Sequence, residues 1–229
     1  MHRLLFIIAF LLAAYGMTRA QDFNYTVSTD SVSWNELNSQ TILNSNNSAW
    51  NFSYKIPIGF TFNFLGRSFD SLTIETNGYI VFDRERNYAL TAFSGVGDHV
   101  DSEGNHAIIG YELSGTNGNH ILKIQYKNCS PYPNGSEVQS WQVWIKENGN
   151  VEVRVGPGTL RYEGLNIDYG QKYRIGVLNM NMDTPERALF VIGNPSAPAT
   201  EEINEQHTDP SFLSFVPSAG LRYVFTPNY

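Results

Sequence analysis

Residues 56–83 read IPIGFTFNFLGRSFDSLTIETNGYIVFD, and within them Ile58, Phe60, Phe62 and Phe64 alternate with Gly59, Thr61 and Asn63. A period of two, with large apolar side chains on one side only, is the pattern of a strand with one face buried and the other wet. Downstream, Leu72 and Ile74 run into Thr76-Asn77-Gly78 and out through Ile80 and Phe82, which predicts a hairpin. Further strands are expected at residues 23–29, 107–113, 120–127, 138–146, 151–156, 172–179, 187–192 and 221–226, with Gly, Asn and Pro between them. Residues 31–50 read as irregular with room for one short strand, pinned back by Trp34, Leu37, Ile42, Leu43 and Trp50. Residues 194–211, with three prolines and four acids, read as an exposed loop. No segment carries helical periodicity over a useful length. The expectation is all-β: a two-sheet antiparallel β-sandwich of jelly-roll type with very little helix.

One register can be derived closely. Trp141, Val143 and Ile145 share a face, as do Val151, Val153 and Val155. Residues paired across a ladder point the same way, so two odd-numbered apolar sets demand pairs that sum to an even number. A two-residue Asn148-Gly149 turn would set Ile145 against Glu152 and fails. A three-residue loop, Glu147-Asn148-Gly149 with Gly149 left-handed, pairs Ile145 with Val151 and Val143 with Val153. The same rule applied to Thr76-Asn77-Gly78 sets Ile74 opposite Ile80 and Leu72 opposite Phe82.

That register carries a functional expectation. Gln142, Trp144 and Lys146 then lie on the outer face against Arg154, Glu152 and Asn150. Trp144 among hydrogen-bonding groups is a surface on which the apolar face of a sugar could stack, and Trp144, Glu152, Gln142 and Arg154 are the candidate ligand-binding residues. A Trp covered by a loop is the plainer alternative.

Residues 1–20 have the form of a secretory signal peptide: Arg3, an apolar run from Leu4 to Tyr15 too short to span a bilayer, and Thr18-Arg19-Ala20 at the cleavage position. No Cys stands there to take a lipid, and no other segment approaches transmembrane length. The expected mature chain, residues 21–229, is long enough for a single β-sandwich domain with a real core. Losing Arg3 and Arg19 moves its net charge from −7 to −9. An acidic chain without a basic stripe argues against nucleic acid as a partner. Cys129 is the only cysteine, so the chain has no internal disulfide, and its setting Lys127-Asn128-Cys129-Ser130 reads as an inert thiol.

Three pieces carry a family resemblance. Residues 56–82 resemble the Phe-x-Phe-x-Phe core of a domain common in secreted and surface proteins of Bacteroidetes-type bacteria, itself similar to the nidogen-like extracellular module. The segments NHILKIQYKN, VQSWQVWIKENGNVEVRVGPG and KYRIGVLN look like its later half, and residues 220–227 look like its terminal strand. The resemblance implies an extracellular, non-catalytic β-sandwich of the kind found on adhesive or cell-surface proteins, secreted to the periplasm or to the outer surface. Two features depart from the pattern. Where such domains often carry a Pro-Trp-Asp-Asp-like segment, this chain reads FSGVGDHVDSEGNH, and no C-terminal sorting domain is expected after Tyr229.

The remaining chemistry is sparse. Asp98, His99, Asp101, Glu103 and His106 form the one dense group of ligand-type residues. Asp98, Asp101 and Glu103, with Asn105 around Gly104, could supply oxygens to calcium, although the spacing is not that of an EF-hand and an exposed acidic loop is the simpler reading. His99 with His106 is a weaker zinc candidate, and no other cofactor is expected. Glu147 and Glu152 are the only acids beside the sugar platform that could serve glycoside hydrolysis, and the register leaves both solvated. No nucleophile elbow, phosphate-cradling loop or His-Glu-x-x-His occurs. Sequons begin at Asn24, Asn46, Asn51, Asn128 and Asn134, and Asp30-Ser31-Val32 and Asp70-Ser71-Leu72 resemble bacterial O-glycan acceptors. The leading expectation is a secreted or envelope binding and adhesion module for a glycan or an extracellular protein. The alternatives are a carbohydrate-active enzyme on a jelly-roll scaffold and a structural subunit joined by strand addition.

Overall fold

A computed structural model describes residues 25–43, 52–85, 87–93, 96–97, 107–131, 137–161, 174–179, 187–203 and 213–228. The expected signal peptide, Trp50, and the acidic group at Asp98, Asp101 and Glu103 with its two histidines lie outside them. Among the described residues there is no helix, and two antiparallel sheets pack face to face.

The first sheet holds β1 (Tyr25–Ser31), β15 (Leu221–Pro227), β11 (Val151–Gly158), β10 (Gln139–Lys146), β9 (Ile121–Pro131), β8 (Ile108–Ser114) and β2 (Thr41–Ile42) in that order, with β7 (Val96–Gly97) paired to the far end of β9. The second holds β14 (Ala199–Ile203), β13 (Arg187–Ile192), β12 (Ile175–Asn179), β6 (Tyr88–Ala92), β5 (Tyr79–Val81), β4 (Arg67–Glu75) and β3 (Ser53–Phe64). This is the two-sheet antiparallel sandwich read from the sequence, and its connectivity is now explicit. Runs of neighbouring strands fill each sheet, and the chain changes sheet between β2 and β3, β6 and β7, β11 and β12, and β14 and β15.

The alternation in β3 holds: Ile56, Ile58, Phe62 and Phe64 are buried, and Phe60 is half-buried with its ring stacked on His120. Its partner is less regular. Pairing passes from Pro57–Ser71 to Phe62–Phe69, so residues 58–61 bulge opposite Asp70. The slip turns Phe69 inward as well as Leu72 and Ile74, and Phe62, Phe64 and Phe69 all pack on Phe82 at ring separations of 5.4, 4.6 and 5.4 Å. At the other end Tyr126 stacks on Trp141 at 4.6 Å, and its hydroxyl donates to the Glu75 carbonyl across the two sheets at 2.9 Å. Burial holds that phenol well above its ordinary pKa, so it stays a donor.

Both hairpin turns use the three-residue loop. Ile145 pairs with Val151 and Val143 with Val153, Gly149 has φ +89°, and its N–H donates to the Lys146 carbonyl at 2.9 Å. Ile74 pairs with Ile80 around Gly78, also at φ +89°. The expected Leu72–Phe82 pair does not form. The β4–β5 ladder ends at Val81, because the Phe82 N–H turns to the Tyr88 carbonyl at 2.8 Å. Two further readings are corrected. Residues 199–203, inside the expected loop, form β14 beside β13; an edge strand can carry Glu201 and Glu202 because one side of it meets water. The central strand β6, buried at all five positions, is not among the expected strands because a strand covered on both faces has no alternation.

Candidate functional site

The outer face of the first sheet is laid out by the registers of its strands. Glu112, Lys123, Trp144 and Glu152 stand side by side on β8, β9, β10 and β11. In the next row Gln125, Gln142, Arg154, Arg222 and Asp30 continue from β9 through β10, β11 and β15 to β1. Trp141, Val143 and Ile145 of β10 and Val151, Val153 and Val155 of β11 fill the core beneath, each at most 2% exposed.

Residues 32–40 cross part of this face as a strap. Gln125 Oε1 accepts from the Leu37 N–H at 3.1 Å, Gln142 Nε2 donates to the Asn35 carbonyl at 2.8 Å, and Lys127 pairs with Glu36 at 2.7 Å. Gly156 is bare for the same reason: a Cβ there would meet the Trp34 ring at 2.7 Å. Of the expected pinning residues, Leu37 is buried and Leu43 packs on the core, whereas Ile42 is 40% exposed. Beneath the strap Gln125 and Gln142 are buried, which is tolerable because each amide is bonded: Gln142 Nε2 also donates to Gln125 Oε1 at 2.8 Å. At the strap's margin Trp144 Nε1 donates to Gln142 Oε1 at 2.9 Å. The indole is thereby oriented by an amide that the strap itself holds.

Trp144 remains half-buried and is flanked by cations. The Arg154 guanidinium carbon lies 3.3 Å from its ring centroid and Lys123 Nζ 5.0 Å from it. Arg154 sends Nε and Nη2 to Glu152 Oε2 at 2.9 and 2.6 Å. Lys146 and Arg222 converge on Oε1 of the same carboxylate, and Arg222 also pairs with Asp30. Lys123 pairs with Glu112 at 2.8 Å.

Glu152 was expected to be solvated and is not: it is 1% exposed although it sits on the outer face. The long side chains of Lys146, Arg154 and Arg222 lie over it, their stems excluding water while their heads neutralise it. Burial would raise its pKa, but the hydrogen bonds from Lys146 and Arg154 outweigh burial and hold it below the ordinary value. Glu147, also expected to be solvated, accepts from the backbone N–H of His120 and meets its Nδ1, both at 2.9 Å; that N–H in particular lowers its pKa too. Neither carboxyl is therefore a proton donor near neutral pH, which is what a glycosidase acid must be.

Sequence reasoning thus brings Trp144, Gln142, Glu152 and Arg154 together correctly, but in unequal roles. Gln142 and Glu152 are buried beneath the surface and position Trp144 and Arg154, which reach it. Lys123, Arg222, Asp30 and Glu112 were missed. The outward parity of Lys123 and Arg222 is readable from Leu122-Lys123-Ile124 and Leu221-Arg222-Tyr223, but their adjacency to Trp144 depends on which strands neighbour β10 and β11. Among the described residues no helix is long and apolar enough to cross a membrane, and no group of three or more His, Cys, Asp or Glu is placed to hold a metal.

No significant match to this chain is found among curated proteins or among solved structures. The family model described as NIDO related matches residues 24–227, from the first strand of the sandwich to the last, and the chain belongs to that nidogen-related family.

Proposed function

We propose that this chain is a non-catalytic binding module, acting in the periplasm or outside the cell, that contacts a glycan or an extracellular protein through the outer face of its first sheet. The observation that carries the reading is Trp144: a half-buried indole on a solvent-side sheet face, locked by Gln142 and stacked against Arg154. A large, rigid aromatic next to donors held in place by a buried carboxylate is how a recognition surface limits the entropy lost on binding. Membership in a family of extracellular module type supports the compartment, and the lowered pKa values of Glu147 and Glu152 support a surface that binds without turning over.

The test is a glycan and matrix-protein array developed with residues 21–229 and with Trp144→Ala. The expected result is at least one ligand whose signal falls ten-fold or more, on the scale of a central aromatic hot spot. If Trp144→Ala binds everything the parent binds, the surface is elsewhere.

A further inference from the structure

We infer that the ligand of this face is a carboxylated polysaccharide, a sugar chain bearing uronate groups; this rests on the reading that Trp144 marks the contact surface. The chain as a whole carries net charge −7, yet around Trp144 the balance reverses. Among the described residues, four cations, Lys123, Lys146, Arg154 and Arg222, stand on four adjacent strands, and the acids that pair with them are three, Glu112, Glu152 and Asp30. The shortage falls on Glu152, whose two oxygens are divided among Lys146, Arg154 and Arg222. Arg222 has Asp30 as a second partner. Lys146 and Arg154 share the one buried carboxylate, so a ligand carboxylate would supply the partner they lack.

The accessible atoms agree. Side chains of the four cations are 16–26% exposed and that of Glu152 is 2% exposed; the exposed acids, Glu112 at 20% and Asp30 at 51%, stand on β8 and β1 at the two ends of the rows, so a ligand centred on Arg154 and Lys146 meets ammonium and guanidinium groups with Glu152 hidden beneath them. Arg154 uses Nε and Nη2 on Glu152, and no described residue accepts from its Nη1. Stacking on Trp144 holds the guanidinium flat, which suits the planar recognition of a carboxylate.

The spacing separates a polymer from a single sugar. Neighbouring strands lie about 4.8 Å apart, so β9 to β15 spans roughly 14 Å, more than one pyranose ring. A surplus of a single positive charge is too sparse for a phosphate backbone, which is bound by many unpaired cations. It suits a chain whose carboxylates are separated by neutral ring surface.

The experiment compares binding of residues 21–229 to polygalacturonate and hyaluronan, to the same polymers with carboxyls reduced to alcohols, to neutral glycans and to poly-glutamate. Uronate polymers should bind, lose at least ten-fold in affinity when reduced, and weaken as salt is added. Arg154→Met and Lys146→Met should each cost about ten-fold, the loss of one charge-assisted contact. Lys146→Met leaves the Arg154–Glu152 pair intact and carries the test if Arg154→Met fails to fold. Equal binding to native and reduced polymers, or to neutral glycans alone through Trp144, overturns the uronate inference and leaves the binding module standing. Poly-glutamate bound as well as the uronate polymers overturns it in favour of an acidic protein. Binding of every ligand unchanged by Trp144→Ala brings down the contact surface and the uronate inference together.

Discussion

Gly78 is held by two independent constraints. Its φ of +89° is left-handed, and a Cβ added there would lie 2.6 Å from the carbonyl oxygen of Ala92 on β6. The conformation alone costs an L-residue about 1–2 kcal/mol, and the backbone contact adds to it because neither chain can rotate away. Gly118 has a similar φ of +83° with open space around it. In urea denaturation Gly78→Ala should therefore lose clearly more stability than Gly118→Ala, which stays near the conformational cost; equal losses would mean the β5–β6 contact is not tight. Glu152 makes a second test. Glu152→Gln leaves three cations converging on a neutral amide and should cost about 3 kcal/mol at neutral pH. Since the folded carboxyl titrates below the ordinary 4.5, its stabilising contribution is complete above that value and is lost as pH falls through the lowered one. The stability gap between parent and variant should accordingly close in acid; a gap that widens on acidification contradicts the network.

Among the elements, the strap over residues 32–40 is held to the sheet by side chains of β9 and β10. It has no ladder of its own, and Gln125 accepts both the Leu37 N–H and the Gln142 amide. Gln125→Leu removes that acceptor while keeping the bulk, so about 1–3 kcal/mol should be lost. The sharper readout is limited proteolysis: cleavage within residues 32–40 should accelerate while β10 and β11 remain protected. A strap as resistant as the parent's would show that Trp34 over Gly156 suffices to hold it. The elements also differ in how visible they were. The β10–β11 hairpin was derived pair by pair, because one buried face and one turn glycine leave a single parity. The bulge opposite Asp70 was not, since it lets Phe69 and Leu72 both face inward and so breaks the rule used to read the rest.

At the scale of the molecule, one core of buried residues is shared by both sheets, with Phe62, Phe64, Ile74 and Leu90 from one and Ile124, Trp141, Val153 and Phe225 from the other. Neither sheet can keep its inner face dry alone, so residues 21–229 should unfold in one transition, with tryptophan fluorescence and far-UV circular dichroism coincident; two separated transitions would divide the chain into more than one unit. The sequence by itself determined the class of fold, the parity of β3, β10 and β11 and the chemistry of the two turns, because a strand's alternation and a glycine's positive φ are local properties. Tertiary structure alone decided that β9 and β15 flank β10 and β11, that a strap covers Gln142, and that Glu152 is buried by three cations drawn from β10, β11 and β15. Each of these is a meeting of residues distant along the chain. Alternation states which way a side chain points, and only the order of strands in the sheet states what it finds there.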